Sequence, residues 1–316
     1  MNPILEHLTG NFQHSTKQIV DLVELDFVVR TLEELLLIMP DMLSEYEFTL
    51  TSSNGSEDPP TPLVLPESSR KRVLIYLSDE TGSVPTHLSR HFFAIFKCYL
   101  PQERLNGNIF AFPLGYTNGP PNGALVQFEN RKYDVSFIGN LNYNRWPLCR
   151  SFSMLRFLPF MPYPIERRMM AWFAKSLPRQ WEDQLGKSLI GFTAGFRNGL
   201  GREKYSELLA NSRIVLCPPG WRSPECFRHY EAMREGCIVL SSRLPPTHFN
   251  QKAPMVEVND WSKVHEIIRN LLLNPFRMLE LHKTTKDWWK NVCSETAVAN
   301  HVKNCLSLVE SEKVGQ

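Results

Sequence analysis

Apolar positions in the middle of the chain fall into short, separate runs. Arg72 to Ser78 (RVLIYLS) is continuously apolar and β-branched, the pattern of a strand that a parallel sheet buries on both faces. Asp79-Glu80-Thr81-Gly82 follows at once. Thr86 to Tyr99 then sets Leu88, Phe92, Ile95, Phe96 and Tyr99 at helical spacing, which predicts a helix. A second apolar strand, Ile109 to Pro113, ends in Leu114-Gly115-Tyr116, so this part reads as strand, helix, strand. Upstream, Thr49 to Ser69 is rich in Ser, Pro, Thr and Glu and reads as a loop.

The same grammar restarts after Asn118 to Asn122 (NGPPN), a break between domains. Tyr133 to Ile138 is a strand ending in Gly139-Asn140, and Ser188 to Phe196 is another. Ile165 to Leu177 and Arg202 to Ala210 are helices, and Arg213 to Cys217 is a strand. Ser223 to Arg234 is a helix with Ser223 as N-cap, Pro224 in first position and Gly236 closing it, before the strand Cys237 to Ser242. The tail, Val264 to Leu272 and Leu279 to Leu308, is helical. Strands alternating with helices at these lengths predict an α/β protein with a parallel, doubly wound sheet in each half.

Length agrees, since 316 residues is roughly twice the commonest domain size. With 35 Lys and Arg against 33 Asp and Glu, the net charge of +2 gives no field for counterion-release binding, so nucleic acid is not an expected partner. The N-terminus has no basic stretch, and the apolar run Leu35 to Met39 is far short of the ~20 residues a membrane span needs. A cytoplasmic, soluble chain is expected. Seven widely spaced cysteines, an odd number with apolar flanks, read as reduced core thiols and hold no metal-ligand spacing.

Open parallel sheets take their ligands outside the carboxyl ends of the strands. One such end is Cys217-Pro218-Pro219-Gly220-Trp221-Arg222-Ser223-Pro224-Glu225. A capped helix start offers free N–H groups to an anion, Gly220 permits close backbone approach and Arg222 adds charge. Arg228 and Glu231, three apart on the helix, suit a diphosphate and the paired hydroxyls of a ribose; an ordinary surface ion pair is the plainer reading. At the end of the first clear strand, Asp79 is the favoured carboxylate for a general base and Glu80 its alternate, against a turn-capping role for Asp79. No DxD pair stands at a strand end, so no metal is expected.

The run from Tyr205 to Ser242, YSELLANSRIVLCPPGWRSPECFRHYEAMREGCIVLSS, resembles the donor motif of exostosin-like glycosyltransferases, family 47 and its relatives. Phe137-Ile138-Gly139-Asn140 with Arg145 downstream is similar to that family's opening motif for its C-terminal domain. The resemblance covers roughly residues 133 to 245. It implies a GT-B fold: an acceptor domain over 1–128, a nucleotide-sugar domain over 129–285, and helices over 286–316 crossing back to the first. The donor residues would be Gly139, Asn140, Arg145, Pro219, Gly220, Arg222, Ser223, Glu225, Arg228 and Glu231. The implied activity is inverting, metal-independent transfer from a nucleotide-sugar, a UDP-sugar and conceivably UDP-xylose as in virus-encoded xylosyltransferases, to a glycan or glycoprotein acceptor, with no cofactor beyond the donor. A retaining GT-B transferase and a decayed nucleotide-sugar-binding scaffold are the alternatives.

Overall fold

The computed structural model describes residues 2–314 apart from 15, 54–62, 66, 120–125, 154, 156–160, 174–178, 184–185 and 196–197. The chain divides into two compact units. The first comprises Met1–Thr117, Pro245–Lys252 and Lys290–Gln316, the second Asn118–Leu244 and Ala253–Trp289. No helix among the described residues is long and apolar enough to cross a membrane.

The first unit opens with α1 (Pro3–Gly10), β1 (Phe12–Gln13), α2 (Leu25–Ile38), α3 (Met42–Glu45), β2 (Tyr46–Ser52) and β3 (Lys71–Leu77). It continues through β4 (Ala94–Lys97), β5 (Arg104–Leu105) and β6 (Ile109–Ala111). The sheet order is β1-β2-β3-β4-β6-β5, parallel except for β5. Val28, Leu32 and Leu35 of α2 are buried at intervals of four and three, one apolar stripe of a helix.

Two sequence expectations change here. Thr86 to Tyr99 is not one helix: Thr86–His91 is a short 3-10 turn, and Ala94–Lys97 is β4, paired with β3 in register Val73↔Ala94. Phe92 to Phe96 is an unbroken apolar run, and Ala94, Ile95 and Phe96 are buried on both faces of β4, whereas a helix would leave one side in water. Thr49 to Ser52 belongs to β2, in register Thr49↔Leu74 and Ser52↔Leu77. Polar composition pointed to a loop there, but β-branched threonines suit a strand, and the whole of β2 is buried.

The second unit contains β7 (Tyr133–Asn140), α4 (Trp146–Ser151), α5 (Tyr163–Phe173), β8 (Arg179–Asp183), β9 (Gly186–Thr193), α6 (Arg202–Ala210) and β10 (Ser212–Cys217). It closes with α7 (Phe227–Arg234), β11 (Ile238–Ser241), β12 (Val256–Glu257), α8 (Val264–Leu272) and α9 (Pro275–Trp288). Its sheet runs β12-β11-β10-β7-β9-β8, parallel except for β8. From β7 the chain runs to the edge strand β8, returns as β9 beside β7, then crosses to β10, β11 and β12 on the other side. The order therefore reverses between β7 and β10, which is a topological switch point of a Rossmann-like sheet. Alternate residues Val135, Phe137, Ile214, Leu216, Ile238 and Leu240 join Trp146, Trp261 and Ile268 in the core.

Arg131 is buried beneath this core. It donates to the carbonyls of Ser212 (2.8 Å) and Glu235 (2.5 Å), so a cation sits at the C-terminal end of α7, where the helix dipole favours one. After α9 a π turn, Trp289–Cys293, leads to α10 (Glu295–Val314) in the first unit. α10 buries Val298, Val302, Leu306 and Val309 and packs along α2, where Thr296 Oγ1 donates to Glu34 Oε2 at 2.7 Å.

Candidate functional site

The switch point gathers the carboxyl ends of β7 and β10. β7 delivers Gly139 and Asn140, both partly exposed, and β10 runs into Pro218, Pro219 and Gly220. Asn142 then caps a 3-10 turn, Tyr143–Arg145, by accepting the Arg145 N–H at 3.1 Å, and this aims the Arg145 side chain back over the strand ends. Its Nε donates to the Pro219 carbonyl (3.0 Å) and its Nη1 to the Asn140 carbonyl (3.0 Å) and to Asn140 Oδ1. Asn144 Nδ2 holds the other strand end by donating to the carbonyls of Gly220 (2.9 Å) and Trp221 (3.1 Å).

Arg228 reaches the same place from α7. Its Nη2 donates to the Ile138 carbonyl at 2.8 Å, its Nε to the Tyr205 hydroxyl at 2.9 Å, and its guanidinium lies over the Phe137 ring at 4.6 Å, a cation–π contact that Arg145 shares at 5.8 Å. A Cβ at residue 139 would stand 2.6 Å from Arg228 Nη2, so only glycine leaves room for this guanidinium. A Cβ at residue 220 would meet the Ser223 carbonyl at 2.9 Å, across the tight turn that the Gly220 N–H closes on that same carbonyl.

Two cations thus sit side by side with every named partner neutral. Among the described residues neither Arg145 nor Arg228 pairs with a carboxylate. Burial and the Arg228 charge bring Arg145 down to about 10. Burial opposes charge on Arg228 too, but the Tyr205 hydroxyl and the Cys226 and Cys217 sulfurs outweigh it and raise its pKa. Arg228 Nη1 and Asn142 Nδ2 are buried donors that meet no acceptor among the described residues. An unpaired buried donor costs roughly 1–3 kcal/mol, and an anion at this strand end would recover it.

Several sequence expectations need correction. The helix starts at Phe227 and its N-cap is Cys226, not Ser223. Ser223 is committed elsewhere: its carbonyl takes the Gly220 N–H and its hydroxyl accepts the Glu225 N–H at 3.1 Å, a local turn that displaces the helix start by three residues. Glu225 is buried and accepts the Tyr230 hydroxyl. Glu231 is only 2% exposed, and its Oε1 accepts both the backbone N–H (3.0 Å) and Nδ2 (2.8 Å) of Asn118. Arg222 is exposed on the turn.

Asp79, in the first unit, caps its own turn. Oδ1 accepts the Thr81 N–H (3.1 Å) and hydroxyl, Oδ2 accepts the Ser83 hydroxyl, and Lys97 Nζ lies 2.9 Å from Oδ2 with both side chains enclosed. Burial pushes the Asp79 carboxyl up, but the Ser83 and Thr81 hydroxyls and the Lys97 charge outweigh it and hold it below its usual range. A carboxylate so saturated and so acidic is a poor proton acceptor. Glu80 beside it is partly exposed.

The reading from sequence passed over Tyr205, Phe137 and Asn142. An aromatic residue two positions before the strand-end Gly139-Asn140, and an Asn three residues before Arg145, are the available signals.

No family model matches the chain, and no curated protein matches it. Solved structures do. The chain is similar to AviGT4, a glycosyltransferase involved in avilamycin A biosynthesis, at 12% identity over 91% of this chain and 90% of that one, with a TM-score of 0.47. It is similar to a glycosyltransferase from Rickettsia africae ESF-5 at 10% identity, 88% and 81% coverage and a TM-score of 0.46. It also resembles sucrose-phosphate synthase from Thermosynechococcus elongatus at 10% identity, 90% and 79% coverage and a TM-score of 0.46. At such identities the likeness is one of fold alone.

Proposed function

We propose that the second unit binds the diphosphate of a nucleotide-sugar at its switch point and that the chain transfers the sugar to an acceptor hydroxyl. The observation that supports this reading is the buried pair Arg145 and Arg228, without a carboxylate partner among the described residues and with Arg228 Nη1 unsatisfied. Cations placed this way, with no carboxylate partner, favour an anionic ligand. The switch point is where open α/β sheets hold nucleotides. The resemblance of Tyr205 to Ser242 to exostosin-like enzymes points the same way, and with it we assign a GT-B transferase taking a UDP-sugar.

In the transfer, the acceptor oxygen attacks the anomeric carbon as the bond from that carbon to the diphosphate breaks. Arg145 and Arg228 stabilise the charge that grows on the departing nucleoside diphosphate, work that a metal does in other transferases. We assign the general base to Glu80, since Asp79 is committed to Lys97 and its own turn. Direct attack by the acceptor inverts the anomeric centre. The donor is a UDP-pentose or UDP-hexose, the acceptor a glycan.

A screen of UDP-, GDP- and dTDP-sugars, UDP-xylose included, by thermal shift and by donor hydrolysis tests this. A rise in melting temperature with slow hydrolysis of one donor is expected. Stabilisation by no nucleotide-sugar would refute the donor site, and stabilisation without turnover under any acceptor would favour a binding protein.

A further inference from the structure

Six of the seven cysteines are buried, and Cys226 alone has partial access to solvent. It is also the N-cap of α7. Its sulfur accepts the His229 backbone N–H while the His229 ring accepts the Cys226 backbone N–H at 3.1 Å, a capping box built from a cysteine and a histidine. Sγ lies 3.3 Å from His229 Nδ1. The His229 ring is wholly enclosed, and its far nitrogen, Nε2, lies 2.7 Å from Ser241 Oγ. Ser241 spends its one hydroxyl proton on the Ser242 carbonyl (2.7 Å), so Nε2 must carry the ring proton and donate to Ser241. That tautomer leaves on Nδ1 the lone pair that accepts the Cys226 N–H, with Sγ 3.3 Å away and the Cys226 carbonyl at 2.9 Å placed to accept a proton once Nδ1 takes one.

We propose that Cys226 is a nucleophilic thiol and a site of covalent modification by peroxides and soft alkylating agents, with His229 as its base. The thiol proton moves to His229 Nδ1, and the N-terminus of α7 with Arg228 and Arg145 holds the thiolate. The other groups that face this cluster are Cys217 at the end of β10, Tyr205 on α6 and Glu225 in the preceding turn. Burial pushes the Cys226 thiol up, but His229, Arg228 and Arg145 outweigh it and bring it down to about 6. Burial likewise disfavours charge on His229, yet the Cys226 sulfur beside it raises its pKa. With a peroxide, Sγ attacks one oxygen and the S–O bond forms as the O–O bond breaks. The leaving hydroxide takes the proton from His229 as water, leaving cysteine oxidised to a sulfenic acid and the peroxide reduced. The reactivity stands whether or not the chain transfers sugars.

The test is the pH dependence of iodoacetamide labelling of the full chain, read by mass spectrometry of the Cys226 peptide, with the urea-unfolded chain as reference. At about pH 6.5 a thiol with pKa near 6 is about 75-fold more ionised than an ordinary one near 8.5, and its lower intrinsic nucleophilicity takes back roughly 13-fold. Cys226 should therefore label about sixfold faster in the folded chain and level off above about pH 7. His229→Gln should move that plateau up by at least about one pH unit. Hydrogen peroxide with dimedone should leave its adduct on Cys226. The wild-type profile decides the matter even if His229→Gln fails to fold. A Cys226 rate that climbs about tenfold from pH 6.5 to 7.5, as an ordinary thiol does, or folded-state labelling confined to another cysteine, would overturn the proposal.

Discussion

Lys97 Nζ lies 2.9 Å from Asp79 Oδ2, and both side chains are enclosed by the first unit's sheet. Removing one partner strands the other charge in the interior. Lys97→Met should therefore cost about 3–5 kcal/mol, and Asp79→Asn should also destabilise. Urea unfolding measures both. A Lys97→Met variant as stable as the wild type would mean that the carboxylate is not held by this contact.

Glu80 carries the proposed base role, so Glu80→Gln should lower sugar transfer by about 10²–10⁴-fold while donor binding stays within error. Asp79→Asn should lower activity only in step with the folded fraction. Transfer kinetics corrected for folded protein separate the two, and full activity of Glu80→Gln would return the assignment to another group.

Arg228→Met should weaken nucleoside diphosphate binding about 10- to 100-fold, from the ~1.5–3 kcal/mol typical of a charged hydrogen bond. Gly139→Ala should do nearly as much without touching the ligand, because its methyl would occupy the place of Arg228 Nη2. Isothermal titration with UDP reads both. Arg222→Ala, on an exposed turn, should change the affinity far less.

The Phe48 N–H donates to His7 Nε2 at 3.1 Å, which only a neutral ring can accept. Burial, aided by the Arg70 charge, lowers the His7 pKa. The unfolded chain therefore takes up the proton first as pH falls, so the contribution of His7 is present above its ordinary value near 6.5 and is lost on acidification. His282, lowered by burial, acts in the same direction. Melting temperature should fall from about pH 7 to about pH 5, and less steeply in His7→Gln, whose amide can accept the same bond without titrating.

Legibility from sequence followed how local each feature is. Arg202–Ala210 and Val264–Leu272 have the predicted bounds because polar punctuation isolates each helix and each carries one apolar face. Phe92 to Phe96 was misread because a contiguous apolar run satisfies helical spacing as easily as a buried strand. Ser223-Pro224 obeys every local rule for a helix start, yet the Gly220 N–H claims the Ser223 carbonyl and moves the start to Phe227. The strand-end positions of Gly139 and Gly220 are readable from the alternation of elements, and Arg145 from the motif that follows Gly139-Asn140. Tyr205 was not, since its hydroxyl meets Arg228 only through the packing of α6 beside α7.

Helix α7 is pinned at both ends, by the Cys226–His229 pair at its start and by Arg131 beneath the Glu235 carbonyl at its finish. A helix held so has little freedom left to surrender when a ligand arrives. Its amides should exchange with deuterium slowly before any nucleotide is added, and an anion caught by Arg228 should bind with a favourable enthalpy and only a small entropic penalty from ordering the protein.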